Sequence, residues 1–303
     1  MISYDDAIDE LRTIGDLVRW AASSFTEAGL TFGHGADNAF DEAFALVRFS
    51  LQLPHDIPPY MINCRLTKAE RRKAVDFINE RISTGKPLAY ITHEAQFAGL
   101  SFYVDERVLI PRSPIAELIQ QHFEPWIDSD RVMRILDLCT GSACIATACA
   151  YAFPYAQVVA TDISDDALVV ANTNIEQHNI SGRVTLIKSD VFSHLKKEDL
   201  PFDIIVGNPP YVNADDMARL TKEYHYESVL GLEAGQDGLD VVSKILDGAH
   251  SYLADDGLLV VEVGNSANAL IEKYPSTPFT WPNFEHGGQG VFVLSADQLP
   301  HKT

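Results

Sequence analysis

From about residue 130 the chain alternates short apolar runs with amphipathic ones, and few folds accept that rhythm. The strand candidates are Arg134–Leu138, 157–161, Val184–Lys188, 202–206 and 258–263. Helical patterns near 143–152, 165–177, 238–252 and 266–273 lie between or after them. A strand buried on both faces reads as a continuous apolar run, and helices between such strands imply a parallel sheet covered on both sides. The segments 279–284 and 290–294, around His286-Gly287-Gly288, predict a terminal antiparallel hairpin.

The first part of the chain is different. Leu11, Ile14, Val18, Ala22 and Phe25 recur at helical steps, as do Phe40, Phe44, Val47 and Leu51. A third helix starts at Thr67-Lys68-Ala69-Glu70, a capping-box pattern, turns Ala74, Ile78 and Ile82 inward, and stops at Gly85-Lys86-Pro87. Between the halves, Leu88 to Ile110 is aromatic and β-branched with Gly99 near its middle, which predicts a hairpin. Pro111-Arg112-Ser113-Pro114 then opens another helix. The expected division is a helical domain over 1–86, a hairpin linker over 87–112 and an α/β domain over 113–303.

In open α/β sheets, ligands bind at the carboxyl ends of the strands. Here Asp137-Leu138-Cys139-Thr140-Gly141-Ser142-Ala143 runs from a strand through a small-residue loop into a helix. Small residues let the backbone approach a ligand, and a helix N-terminus offers free N–H groups. The next strand ends in Asp162, about twenty residues on, where a carboxylate can accept both hydroxyls of a ribose. The third ends in Ser189-Asp190-Val191-Phe192. Acids repeated at one sheet edge point to a nucleoside-type cofactor, although Ser164-Asp165-Asp166 gives Asp162 a second reading as part of a helix cap.

The fourth strand leads into Asn208-Pro209-Pro210-Tyr211. Consecutive prolines stiffen the backbone and donate nothing, leaving their carbonyls free to face a ligand. In this setting the sequence resembles the class I methyltransferases that act on planar nitrogens, either exocyclic base amines or side-chain amides. The resemblance implies a Rossmann-like seven-stranded sheet, mostly parallel with a C-terminal antiparallel hairpin, and S-adenosyl-L-methionine as donor. It implies that Asn208 and Pro209 accept the two N–H bonds of the target while Tyr211 packs on its flat face. Asp162 would hold the ribose, Asp190 and Val191 the adenine end, and Asp137 with the residues from Cys139 to Ala143 the methionine end. Phe97 and Arg112 would lie near the donor.

Over nearly its whole length the chain is similar to the protein glutamine methyltransferases of bacterial translation. The release-factor branch usually reads Gly-Thr-Gly-Thr-Gly in the cofactor loop. This chain has Asp137-Leu138-Cys139-Thr140-Gly141-Ser142, together with the run from Tyr103 through Ile119 and the ending Phe279-Thr280-Trp281 through Leu294. These resemble the branch that methylates large-subunit ribosomal protein three, which usually has Gly where this chain has Ala143. The release-factor branch is the alternative, and adenine in DNA or RNA is a more distant one.

Charge bears on that choice. With 23 Lys and Arg against 43 Asp and Glu the formal net charge is −20, and the densest cationic cluster, Lys68 to Lys73, is short. Nucleic-acid binders normally carry a basic stripe, so direct nucleic-acid binding is not expected and a basic ribosomal protein, met before or during ribosome assembly, is. The spacing of Cys139, Cys144 and Cys149 suits buried thiols better than a zinc site. No apolar run spans a bilayer and the N-terminus is acidic where a signal peptide would be basic, so a cytoplasmic protein is expected. Gly287-Gly288-Gln289 matches the tripeptide methylated in release factors, but two glycines at a turn have a sufficient backbone reason.

Overall fold

Helix caps set the first elements. The computed structural model describes residues 4–33, 35–36, 38–54, 56–196, 201–285 and 287–300. Contacts between Cα atoms divide it into two compact units, one of residues 1–94 with 221–226, the other of 95–220 with 227–303.

The first unit holds α1 (Tyr4–Glu10), α2 (Ile14–Glu27), α3 (Ala39–Ser50), α4 (Lys68–Thr84) and α5 (Leu88–Thr92). Thr13 and Asp16 form a reciprocal capping box at α2, and Thr67 and Glu70 form the expected one at α4. Gly85 closes α4 in the left-handed conformation, at φ 71°. The buried face of α3 runs through Ala43, Leu46 and Val47, so the stripe expected through Phe40 is displaced and Phe40 is exposed. Residues 88–92, expected to begin the hairpin, instead form α5, a single helical turn after Pro87. At the base of the unit Arg81 is fully buried and pairs with Glu42 at 2.7 Å and with Glu223.

The second unit opens with the hairpin β1 (Ala95–Phe97) and β2 (Leu100–Phe102), then α6 (Ile115–Gln120). The α/β core follows as β3 (Arg134–Leu138), α7 (Cys144–Ala152), β4 (Gln157–Asp162), α8 (Asp165–Gln177), β5 (Val184–Lys188) and β6 (Phe202–Gly207). It continues through α9 (Ala214–Met217), α10 (Asp240–Ala249), β7 (Leu253–Glu262), α11 (Ala267–Lys273) and β8 (Val291–Ser295). The strand order is β5-β4-β3-β6-β7-β8, parallel except for β8. The order reverses between β3 and β6, the switch point where such sheets leave a crevice.

The expected class is present, with six strands in the main sheet among the described residues. The seventh is reduced to one antiparallel bridge, Thr280 with Val293, on the edge of β8 away from β7. Gly288, in the expected turn, has φ 98°, and a Cβ there would stand 2.9 Å from Pro114, so its glycine has a conformational and a steric reason. His286 lies outside the described residues. Two apolar layers cover the sheet, one centred on Ile135, Val158 and Ile204, the other on Leu136, Ile205 and Leu259. Alternate residues of β3 and β6 therefore face opposite layers, as the pleat requires.

Buried Asn174 of α8 joins the hairpin to the cofactor loop. Its side chain accepts from the Tyr103 N–H at 2.7 Å and donates to the carbonyls of Tyr103 and Ser142, both at 2.9 Å. Three satisfied bonds on a side chain with no exposure fix the loop against the sheet.

Candidate active site

A cleft of about 200 Å³ opens at the carboxyl ends of β3 to β6. Cys139 and Gly141 enter it after β3, Asp162 at the end of β4, Asp190 and Val191 after β5, and Asn208 after β6. Six of the residues singled out in the sequence thus meet at one opening, drawn from four strands. Parallel register accounts for this, since each strand ends at the same level.

The loop after β3 is wound through three left-handed residues, Cys139 at φ 56°, Gly141 at 55° and Ala143 at 62°. Thr140 is turned inward between them, and its hydroxyl donates to Asp137 at 2.5 Å. Asp137 also accepts the Ala146 N–H at 3.0 Å, so it anchors the first turn of α7 from below. Burial pushes its carboxyl up to about 7, against the opposing hydrogen bonds from Thr140 and Ala146. Asp137, Thr140, Ser142 and Ala143 are all buried behind the loop and do not line the cleft. They shape it from behind.

Asp162 does the capping job weighed for it and also braces the loop after β3. One carboxylate oxygen accepts the Ser164 N–H at 2.9 Å at the start of α8, and the other accepts the Gly141 N–H at 2.9 Å. A carboxylate has about four lone-pair sites, so capacity remains for hydroxyl donors from the cleft. Burial raises its pKa, while the N–H groups of Ser164, Gly141 and Ile163 hold it down. Asp190 is exposed and paired with Lys244 of α10, whose amine reaches both oxygens at 2.9 and 3.0 Å. Val191 sits at φ 51°, a costly conformation for a β-branched residue, at the cleft wall. The Cys139 thiol is pushed up by burial, then by the nearby Asp162, which keeps it in the neutral form.

Asn208 brings an unsatisfied acceptor to the cleft. Its Oδ1 is buried and has no hydrogen-bond partner among the described residues. Nothing among them donates to the carbonyl of Pro209, which is also buried. Leaving a buried acceptor unmade costs about 1–3 kcal/mol, and of the buried side-chain atoms left so among the described residues, Asn208 Oδ1 is on a residue that lines the cleft. Asn208 lines the cleft, and Pro209, next to it in the chain, lies outside the lining.

Other expected residues lie elsewhere. Tyr211 turns from the cleft lining, and its hydroxyl donates to Glu262 at 2.9 Å. Phe97 packs in the core edge-on to Phe102 at 6.5 Å, and Arg112 forks onto Glu227 at 2.6 and 2.7 Å. Neither Phe97 nor Arg112 lines the cleft, because an aromatic core and a buried carboxylate claim them. Sequence reasoning missed Lys244, Arg107 and the wall formed by Ser228, Leu230, Gly231 and Glu233. Lys244 meets an acid 54 positions away, a pairing no local pattern announces. Arg107 is held locally, by Asp105 two residues before it, and an acid so near a base was the available signal.

The Methyltransferase small domain family model matches residues 116–235, the stretch that carries the loop, both acids and the Asn-Pro-Pro-Tyr segment. The chain is 49% identical over 295 residues to the Ribosomal protein uL3 glutamine methyltransferase of Francisella tularensis subsp. tularensis, covering 97% of this chain and 93% of that protein. It is 50% identical over 293 residues to the Ribosomal protein uL3 glutamine methyltransferase of Xanthomonas campestris pv. campestris, covering 97% and 94%. Among solved structures, the hMettl16 catalytic domain in complex with MAT2A 3'UTR hairpin 6 superposes with TM-score 0.51 at 19% identity, over 65% of this chain and 75% of that one. That likeness is one of fold.

Proposed function

The chain belongs to the ribosomal protein uL3 glutamine methyltransferases, and from that premise we propose that its cleft receives a glutamine side chain of uL3 against S-adenosyl-L-methionine. One observation carries the reading. The orphaned Oδ1 of Asn208 stands in the cleft wall beside the free carbonyl of Pro209.

The donor-binding residues fit a nucleoside with an amino-acid tail. Asp162 would take the ribose hydroxyls, and Asp190, oriented by Lys244, the adenine amine. The backbone of Cys139 and Gly141 would face the methionine end. When bound, S-adenosyl-L-methionine supplies an electrophilic methyl group on a positively charged sulfur. The acids at the cleft favour that positive charge, and the apolar walls limit water.

The chain's own contribution lies on the acceptor side. An amide nitrogen is a weak nucleophile because its lone pair is shared with the carbonyl. With its two N–H bonds held by Asn208 and Pro209, electron density shifts toward nitrogen and the NH₂ plane is fixed. Positioning and fixed dipoles of this kind supply several kcal/mol without a strong base. As the new N–C bond forms, the methyl's bond to sulfur breaks and its electron pair stays on sulfur, leaving S-adenosyl-L-homocysteine as the co-product. The methylated nitrogen's proton is then acidic and leaves to solvent, so no titrating base is needed within reach.

The acidic charge suits a basic protein substrate, taken before or during ribosome assembly in the cytoplasm, where the target glutamine is still accessible. No helix among the described residues is long and apolar enough to cross a membrane. The test is methyl transfer by the purified chain to uL3, to a release factor and to an adenine-containing oligonucleotide, followed by mass spectrometry. One methyl on a glutamine of uL3, with the others unmodified, is expected. Transfer to the release factor or the oligonucleotide in preference to uL3 would overturn the substrate assignment.

A further inference from the structure

Two consecutive residues, Arg112 and Ser113, fasten both ends of the segment that follows the active-site tetrapeptide. At its start, the Tyr211 hydroxyl donates to one oxygen of Glu262, and the Ser113 hydroxyl donates to the other. Ser266 also donates to the Tyr211 carbonyl at 2.8 Å. Gly264 makes room for this, since a Cβ there would stand 2.5 Å from the Tyr211 ring. At the far end, Glu227 takes both arms of the Arg112 guanidinium and the Ile110 N–H at 3.3 Å. Both carboxylates are buried, Glu227 at 3% exposure and Glu262 at 6%.

Between these points the chain makes an excursion, and residues 221–226 cluster with the helical unit. The outgoing and returning limbs pair beside the cleft, Val212 with Leu232 at 2.8 Å and with Ala234 at 3.0 Å. Ser228, Leu230, Gly231 and Glu233, directly after Glu227, line the same cleft as Asn208. The Arg112–Glu227 fork therefore fixes where that wall begins.

Stability alone is a weak reason to keep such a pair. A buried ion pair is often no more stabilising than well-packed apolar residues of similar volume. What a bidentate fork adds is direction, because both N–H···O bonds hold only at one relative orientation. We propose that Arg112 is a positioning residue: through Glu227 it sets the 228–233 wall that shapes the acceptor side of the cleft, without touching the donor. The proposal rests on the methyltransfer reading of the cleft. It gives Arg112 a role different from the place near the donor that the resemblance implied.

The test compares wild type, Arg112→Lys, and the apolar double variant Arg112→Met/Glu227→Met. Three quantities are read: thermal midpoint, donor affinity by calorimetry, and single-turnover transfer to uL3. The wild type must transfer first, and its failure would count against the methyltransfer reading instead. In the double variant, a wild-type midpoint and donor affinity within threefold are expected, with transfer slowed at least tenfold. Recovery of transfer along with the midpoint would show the pair to be only structural and overturn the proposal. Loss of donor affinity would place the fork on the donor side and overturn it equally. Should the double variant not fold, Arg112→Lys decides, since it keeps the charge and loses the fork. A tenfold slower rate at unchanged donor affinity supports the proposal, and a wild-type rate refutes it.

Discussion

The backbone N–H of Gly141 is bonded to the Oδ2 of Asp162 at 2.9 Å, so the loop after β3 and the acid ending β4 form one unit. A change at Asp162 is then felt twice, by the ligand hydroxyls and by the loop. A hydrogen bond to a charged group is worth about 1.5–3 kcal/mol, and each 1.4 kcal/mol is tenfold in affinity. Asp162→Ala is expected to weaken donor binding by roughly a hundredfold or more in calorimetry, and Asp162→Asn by less. Unchanged affinity in both would remove Asp162 from the donor site.

Ala143 meets the condition under which a glycine would be preferred, at φ 62°. A left-handed residue other than glycine costs about 1–2 kcal/mol. Against that gain, Ala143→Gly loses a fully buried methyl, about 0.8 kcal/mol, and adds about 0.5–1 kcal/mol of chain entropy to the unfolded state. The terms nearly cancel. Denaturant unfolding should move by less than about 1 kcal/mol, and donor affinity should change little. A strongly tighter donor complex would show that the strain is felt at the binding surface.

Asp137 predicts a pH dependence of stability. Its carboxyl is raised by burial from 3.8 in the unfolded chain to about 7 in the fold. Below the unfolded value both states are protonated and no penalty applies. As pH rises toward 7 the unfolded state ionises first, so stability falls across that window, by roughly 4 kcal/mol for this group alone. Asp137→Asn should flatten the pH profile of unfolding between about 4 and 7. An unaltered slope would mean that another group carries it.

The net charge of −20 predicts a salt effect on the encounter with a basic protein. Exposed charges are screened beyond about 10 Å at 0.1 M salt. The second-order rate of transfer to uL3 should fall as salt rises while donor affinity stays nearly level. A rate indifferent to salt would assign the acidity to solubility alone.

The α/β half was legible because its central strands are buried on both faces and read as apolar runs. Arg134–Leu138 and Val184–Lys188 stand where the pattern placed them. In the helical half, the capping box at Thr67 and Glu70 was readable because it is local. Phe40 misled, because a stripe one residue out of phase still has helical spacing. Asp162, Asp190 and Asn208 were legible as polar residues at strand ends. Lys244 and the 228–233 wall were not, since they reach the cleft only through tertiary contacts. The Arg112–Glu227 pair spans 115 positions and has no local signature at all.

The account depends most on Asn208, whose buried Oδ1 has no hydrogen-bond partner among the described residues. The most direct measurement is the single-turnover rate of methyl transfer to uL3 by Asn208→Ala at saturating donor, set beside its donor affinity. Removing one preorganised electrostatic group from an active site typically costs about 10²–10³ in rate. A loss of that order with donor affinity within a few-fold of wild type is predicted. A near-normal rate would contradict the central claim and take Asn208 out of the chemistry.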